Sequence, residues 1–433
     1  MVGVETLDRF FAATLIDSKL PVSGYSVTAV KDNKIVYRKV GGRRRIDWQH
    51  PENDVDMTVD TRFRIASISK MFTAVAIMQL MDQGKLSLDG DAGKYLGFAL
   101  RNPDFPDMPI TVRMLLSHVS SLRNGDFYNF PSRYALEEVM LPEGKFWDNG
   151  SRYAKRSDKY DVSPGRFFTY SDLNYVLLAG IIEKVSGERF DLYERDHVLQ
   201  PMGISGQFNP ALFNADEIKL VAPAYRKLKD GKYDPTLPWL PQYDDYNDQV
   251  VPENIIYYNN PYKREPPKAD DLSGYIVGTN PSVFNPAGGL RINTEELTRF
   301  IRMMMNGGVS VTGERIISPE AVREMTVPCW VAGRNGVVSL DRKAYACGVT
   351  FIAPQYGGDR IVEGRDDAWV LGHSGSANGL YSGCWWNPEK NFGFAFAYTG
   401  TGNDPEIQTG HFSSRFRIIE ETLENIYKFL EEC

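Results

Sequence analysis

Segments whose residue pattern predicts β-strands lie near both ends of this 433-residue chain, and segments whose pattern predicts helices dominate its middle. Residues 24–30 and 34–40 are β-rich and alternate, and the turn Lys31-Asp32-Asn33 joins them into a predicted hairpin. Four more β-rich runs come late in the chain, at 344–352, 368–373, 379–386 and 392–398. We therefore expect an antiparallel sheet assembled from the two ends of the chain.

Amphipathic helices are predicted at the chain ends, over 5–19 and 413–430. We expect them on one face of the sheet, which gives an α+β (α/β) fold with a mainly helical subdomain beside the sheet. The predicted sheet-containing subdomain takes residues 1–65 and 281–433, and the mainly helical subdomain takes 66–280. We expect the functional cleft between them.

Residues 205–280 are rich in tyrosine and proline and show poor periodicity. A long aromatic segment of this kind inside a compact protein is usually functional. We interpret it as an insertion or lid over the cleft, and the alternative is an insertion that packs on the surface without a role in the site.

Composition excludes several classes of protein. The apolar content of 42% and charged content of 24% are typical of a globular protein. The net charge of −7, with no basic run beyond Arg43–Arg45, argues against a nucleic-acid partner. The four cysteines include no C-x-x-C pair, which argues against a zinc site.

No apolar run is long enough for a membrane span, so none is predicted. The acidic, amphipathic N-terminus lacks the basic and apolar regions of a signal peptide. These features predict a cytoplasmic protein, or a periplasmic or secreted one if a leader was removed.

Ser67 and Lys70 stand at the start of a strongly apolar predicted helix that ends at Gly84. Residues three apart share a helical face, with about 5–6 Å between their Cβ atoms. A serine hydroxyl is a weak nucleophile that needs a base beside it, and a lysine can serve where apolar surroundings lower its pKa. An N-cap serine beside a solvated lysine is the alternative, and Ser69 is a second candidate nucleophile that does not face Lys70.

Tyr170 precedes another long apolar helix, for which Ser171 or Asp172 is the predicted N-cap. A tyrosine at a helix entrance can aim its hydroxyl into a cleft, although a packing role is the alternative. His118 lies among leucines on a predicted helix over 109–122, and we interpret it as a buried structural histidine rather than a catalytic one.

A third polar segment, Gly372-His373-Ser374-Gly375-Ser376-Ala377-Asn378-Gly379, lies between two late strands. Its glycines can let backbone amides approach a ligand closely. Taken alone, the segment could equally be an ordinary loop.

Together these segments resemble the serine β-lactamase and penicillin-binding-protein-like hydrolases. The resemblance is to the branch of class C β-lactamases, D-alanyl-D-alanine carboxypeptidases, D-aminopeptidases and family-VIII esterases. Three motifs occur in the family's order: S-x-x-K as Ser67–Lys70, Y-x-N as Tyr170–Asp172, and K-T-G or H-x-G as His373–Gly375. The resemblance covers most of the chain outside roughly 205–280 and implies a β-lactamase-like fold.

The resemblance implies acyl transfer through a covalent acyl-enzyme, with Lys70 and Tyr170 sharing the proton transfers and no metal or organic cofactor. Which of the two is the base stays open. The implied catalytic residues are Ser67, Lys70, Tyr170 and His373; the implied oxyanion-hole amides are those of Ser67 and Ser376; and the implied substrate-binding residues are Asp172, Ser374 and Gly375.

Two departures from the family pattern bear on the substrate. Asp172 replaces the usual Asn, so an ionised side chain there accepts hydrogen bonds but cannot donate them, and it could pair with Lys70 and keep it charged. His373 replaces Lys, which is more similar to the peptidases and esterases than to the β-lactamases. We therefore predict a small ester, amide or D-amino-acid peptide as substrate, with no prediction of oligomeric state.

Other functions fit the same motifs. A β-lactamase or acyltransferase of the same family would use the same serine. A slow-deacylating penicillin-binding sensor would acylate without turnover, and a structural relative would retain only the fold.

Overall fold

The structure is a computed structural model. It describes residues 2–16, 21–47, 49–125, 128, 130–229, 232–242, 272–333, 343–377, 379–401 and 409–433. The stretch 243–271, which is part of the predicted insertion or lid, lies outside the described residues, so that prediction stays untested.

Most strands of the described residues belong to one large antiparallel sheet. The strands are β1 (Gly24–Lys31), β2 (Lys34–Arg45), β3 (Val55–Asp56), β4 (Arg62–Arg64), β5 (Val221–Ala222), β6 (Ala224–Arg226), β7 (Leu228–Lys229), β8 (Lys232–Tyr233), β9 (Leu240–Gln242), β10 (Arg291–Ile292), β11 (Trp330–Val331), β12 (Ala344–Tyr345), β13 (Thr350–Ile352), β14 (Val370–Ala377), β15 (Leu380–Asn387) and β16 (Phe392–Thr399). Neighbouring strands of the large sheet follow the order β11-β12-β13-β14-β15-β16-β1-β2-β3. The small sheets have the orders β10-β4-β5, β6-β9 and β7-β8.

The pairing of β1 with β16 joins the two ends of the chain, with Gly24 opposite Thr399 and Lys31 opposite Phe392. The prediction of an antiparallel sheet built from both ends is therefore confirmed. The helices of the described residues are α1 (Val4–Thr14), α2 (Ser69–Asp82), α3 (Ala92–Leu96), α4 (Val112–Leu116), α5 (Glu137–Met140), α6 (Asp172–Ser186), α7 (Phe190–Tyr193), α8 (Thr294–Met305), α9 (Pro319–Thr326) and α10 (Arg417–Glu432).

Both faces of the sheet are covered. Trp385 belongs to a core shared with α1 and α10, whereas its neighbour Trp386 belongs to a core shared with α2, α6 and α8. Because successive strand residues point to opposite faces, a strand buried on both sides is apolar over most of its length, as β16 is. The terminal helices thus lie on one face, and the helical part of the chain lies on the other.

Three local predictions differ from the structure. The run 344–352 is two short strands, because the turn around Gly348 (φ +84°) interrupts it. The strand predicted over 368–373 continues as β14 through Ala377, so the third polar segment is largely strand. The helix predicted over 109–122 ends at Leu116, and His118 follows it with φ +60°, which no α-helix contains.

Candidate active site

Ser67 lies half-buried in a 3-10 turn, Ala66–Ile68, directly before α2. Ala66 has φ +50°, a conformation that costs a non-glycine residue roughly 1–2 kcal/mol. Hydrogen bonds hold its neighbour Ile65 on both sides: Ile65 N donates to Leu290 O (3.0 Å), and Ser382 Oγ donates to Ile65 O (2.9 Å). The strained backbone that presents Ser67 is therefore fixed by residues distant in sequence.

Lys70 is fully buried and its ammonium has an acceptor for each of its three protons. Nζ donates to Ser67 Oγ (3.1 Å), to Asp172 Oδ1 (2.6 Å) and to the backbone oxygen of Ala287 (2.9 Å). The centre of the Tyr170 ring lies 4.8 Å from Nζ. This geometry satisfies a charged lysine completely.

The pKa of Lys70 reflects two opposed effects. Burial lowers it and is the largest single effect, but the charge attraction and hydrogen bonds that Asp172 and Tyr170 provide together outweigh burial. The pKa is therefore raised above the usual value of lysine. The pairing that the replacement of Asn by Asp172 predicted is thus present, and it keeps Lys70 protonated.

Asn124 places Asp172 by capping α6. Its Oδ1 accepts from Ser171 Oγ (3.0 Å), Asp172 N (2.7 Å) and Leu173 N (3.2 Å). Ser171 is the N-cap residue, but its own side chain makes no capping bond. The prediction of Ser171 or Asp172 as the N-cap is therefore confirmed for Ser171, and the capping acceptor is supplied by Asn124 from a separate loop.

Tyr170 packs against His118, with 4.4 Å between ring centres. His118 is fully buried, and its Nδ1 accepts from Ser171 N (3.2 Å) and Asn174 Nδ2 (3.1 Å). These bonds hold the imidazole in place against the Tyr170 ring. His118 thus has the buried, hydrogen-bonded environment of a structural histidine.

Strand β14 passes next to the Ser67 turn. A Cβ atom on Gly375 would lie 2.1 Å from Ile65 O, so only glycine allows the two backbones to come this close. Ser374 is half-buried on this strand, and Ser376 is exposed opposite Tyr381. The oxyanion-hole role of the Ser67 and Ser376 amides, and substrate binding by Ser374 and Gly375, stay predictions.

His373 is fully buried, and both its nitrogens are hydrogen-bonded within the protein. Nδ1 donates to Ser374 O (2.6 Å), so in the neutral ring Nε2 accepts from Tyr345 OH (3.0 Å). Its ring centre lies 6.2 Å from that of Tyr170. The structure therefore places His373 near Tyr170, and its expected position on the leaving-group side stays a prediction.

Three residues at the site were not identified from the sequence. Asn124 caps α6, Tyr345 holds His373, and Tyr128 is close enough to the site that Asp172 adds to the effect of burial in raising the pKa of its phenol. No local pattern distinguishes these side chains from the many other polar and aromatic residues of the chain. Their roles depend on contacts between distant segments.

Neither a metal cluster nor a membrane helix is evident in the part of the chain that the structure describes. No group of three or more His, Cys, Asp or Glu side chains there is arranged to hold a metal ion. No helix there has the length and apolarity to cross a bilayer.

The fold and this arrangement of side chains define a known class. The family model described as Beta-lactamase matches residues 12–412, and the chain belongs to that family. In Staphylococcus aureus (strain MW2), the protein named Protein flp is 29% identical over 181 residues, which cover 42% of this chain and 34% of that protein. This chain thus matches about a third of the length of that curated relative.

Solved structures show the same fold. The octameric penicillin-binding protein homologue from Pyrococcus abyssi is 25% identical, with a TM-score of 0.63, and the match covers 93% of this chain and 75% of that one. The D-amino acid amidase from Ochrobactrum anthropi SV3, complexed with D-phenylalanine, is 18% identical, with a TM-score of 0.64 over 98% of this chain and 99% of that one.

Proposed function

We propose that this protein is a serine hydrolase that cleaves small ester or amide substrates through an acyl-enzyme on Ser67. The observation that carries the proposal is the contact of Ser67 Oγ with Lys70 Nζ (3.1 Å) inside a site that also contains Tyr170 and Asp172. A nucleophile beside a cation and a phenol is an arrangement that supports covalent acyl transfer.

Lys70 acts as a fixed positive charge rather than as the first base. Its pKa is raised by Asp172, and all three of its protons are engaged, so it has no lone pair with which to accept the Ser67 proton. Since Nζ donates to Ser67 Oγ, it stabilises the negative charge that develops on that oxygen as the proton leaves.

Tyr170 in its phenolate form is then the base that accepts the Ser67 proton, and the resulting phenol later returns that proton to the leaving group. The Lys70 ammonium, 4.8 Å from the ring centre, stabilises the negative charge of the phenolate before the transfer. When water releases the acyl group, Tyr170 accepts a proton from the attacking water and returns it to Ser67 Oγ.

The substrate class follows from two residues and one structural relative. Asp172 and His373 depart from the pattern of dedicated β-lactamases, and the D-amino acid amidase shares the whole fold. We assign an ester or a D-amino-acid amide or peptide as substrate. A β-lactam would enter the same site as a slower substrate.

A panel of p-nitrophenyl esters, D-alanine amides and nitrocefin, assayed with wild type and Ser67→Ala, tests the proposal. We expect continuous release from esters or amides by the wild type and loss of turnover in the variant. A burst without turnover would identify a sensor instead. Activity in Ser67→Ala within about tenfold of wild type would contradict the proposal, because removal of a nucleophile costs far more.

A further inference from the structure

Two of the four cysteines meet next to the active site. Cys329 precedes β11 and Cys347 follows β12, and these strands pair with Trp330 opposite Tyr345. Both N and Sγ of Cys329 donate to Tyr345 O, at 3.1 Å and 3.5 Å. The thiols of Cys329 and Cys347 are hydrogen-bonded to each other, and neither is in a disulfide.

The two thiols differ in access and in acidity. Cys329 is exposed and Cys347 is buried. The bond from the Cys347 thiol lowers the pKa of Cys329 against the effect of burial, and Ser117 and Arg113 lower it further. The same thiol–thiol bond and burial raise the pKa of Cys347. The thiol of an exposed residue, which favours its thiolate, thus lies beside the thiol of a buried residue, which favours its protonated form.

We propose that Cys329 and Cys347 form a dithiol modification site that low-molecular-weight disulfides oxidise to an intrachain disulfide, lowering turnover at the active site. The Cys329 thiolate attacks one sulfur of R–S–S–R, which forms a mixed disulfide and releases RS⁻. Cys347 then loses its proton, attacks Cys329 Sγ and releases the second RS⁻. Two thiols are oxidised by two electrons, and one R–S–S–R is reduced to two R–SH.

Contacts on both sides connect this dithiol site to the proposed active site. Tyr345, whose backbone oxygen binds Cys329, donates its hydroxyl to His373 Nε2 (3.0 Å) and packs on His118 at 5.1 Å. Gly348, next to Cys347, donates to Leu116 O (3.3 Å) and lies so close to α2 that a Cβ on it would be 2.7 Å from that of Ala74. A new covalent bond here therefore acts on the residues that position Tyr170 and Lys70.

Exposure of the reduced full-length protein to glutathione disulfide, followed by alkylation and peptide mapping, tests the thiol chemistry directly. Trypsin cleaves after Arg334, Arg342 and Lys343, so the two cysteines fall on different peptides. We expect these peptides to be joined, while Cys384 remains alkylatable after denaturation. Two results would overturn the proposal. One is recovery of the two peptides without a disulfide between them, and the other is a wild-type protein that carries only a stable glutathione adduct on Cys329.

Two variants assign the roles of the thiols. In a Cys433→Ser background, which removes the exposed terminal thiol, Cys347→Ser should accumulate the glutathione adduct at Cys329. Cys329→Ser should leave Cys347 unmodified. An adduct on Cys347 in the second variant would contradict the assigned order of attack.

The effect on turnover rests on the proposed function, but the disulfide does not, so the two can fail separately. We expect oxidation to lower kcat by about 10- to 100-fold, with little change in KM, and a reductant to restore it, since small displacements of catalytic groups have effects of this size. Cys329→Ser should be insensitive to glutathione disulfide. A joined peptide with unchanged kcat would overturn the coupling to the active site while leaving the hydrolase proposal intact.

Discussion

Lys70 Nζ lies 2.6 Å from Asp172 Oδ1, and this ion pair joins the start of α2 to the start of α6. The lysine side chain is fully buried and the carboxylate is 19% exposed. A buried charge that loses its partner is strongly destabilised, so Asp172 holds the pKa of Lys70 above its usual value and keeps the ammonium charged. The pair therefore determines which group of the site is able to accept a proton.

Asp172→Asn should shift the preference of the enzyme towards amides. The asparagine amide can donate a hydrogen bond to a substrate carbonyl, which the carboxylate cannot, and one hydrogen bond corresponds to a change of about three- to tenfold. Steady-state kcat/KM for a matched ester and amide pair measures the ratio. An unchanged ratio would refute this interpretation of the residue.

Tyr170→Phe should lower kcat by at least about 10², which is the usual contribution of an acid–base group. The phenylalanine ring can keep the packing on His118, so the thermal midpoint should change little. Kinetics on a p-nitrophenyl ester and a melting curve of the same sample separate the two effects. If kcat stays within about threefold of wild type, proton transfer uses another group.

Gly375→Ala should separate β14 from the Ser67 turn. The added Cβ would lie 2.1 Å from Ile65 O and 2.4 Å from Ser382 Oγ, and overpacking of this kind costs roughly 1–3 kcal/mol. We expect lower stability together with a fall in kcat/KM of about tenfold or more. Gly274→Ala is the matched control, because nothing lies within 4 Å of its Cβ position. If the two variants have the same stability and the same kcat/KM, the close approach of β14 to the Ser67 turn is contradicted.

Glu183 should make stability depend on pH. Burial raises its pKa from 4.5 to about 7, although Phe190 N, Gly278 N and Tyr275 OH donate to the carboxylate and oppose the shift. Between pH 4.5 and about 7 the folded protein holds this proton more often than the unfolded chain does, so its contribution to stability is lost as pH rises.

Urea unfolding across this pH window checks the sign. The free energy of unfolding should fall by up to about 1.4 kcal/mol per pH unit from this group, and Glu183→Gln should remove that component. The exposed Glu143→Gln serves as the control. A wild-type slope that Glu183→Gln leaves unchanged would assign the titration to another residue.

Local sequence pattern was sufficient for the parts of the site that lie close together in the chain. Ser67 and Lys70 are three residues apart at the start of an apolar helix, and this spacing places their side chains on one helical face, although it left a solvated lysine as the alternative. The hairpin of β1 and β2 and the buried helices α2 and α6 follow equally from periodicity and from turn residues. The antiparallel sheet assembled from both ends followed from the order of these segments.

Contacts between segments that are distant in the sequence could not be predicted from local sequence pattern. Asn124 binds α6 across 48 residues, and Tyr345 reaches His373 across 28, so neither contact leaves a periodic signal. The positive φ of His118 is a second example, because apolar neighbours continue the helical pattern past the point where the helix ends. The proposed subdomain boundaries at 65 and 281 remain predictions of the same sequence pattern.

Mass spectrometry of the trapped acyl adduct tests the central claim most directly. After acid quench with a p-nitrophenyl ester, the tryptic peptide 65–70 contains both Ser67 and Ser69, and fragmentation distinguishes them. Ser69 Oγ accepts from Leu290 N (3.0 Å) in the core, so we predict the acyl group on Ser67 and no adduct in Ser67→Ala. An adduct on Ser69 or on another peptide, or one that persists in Ser67→Ala, would contradict the account.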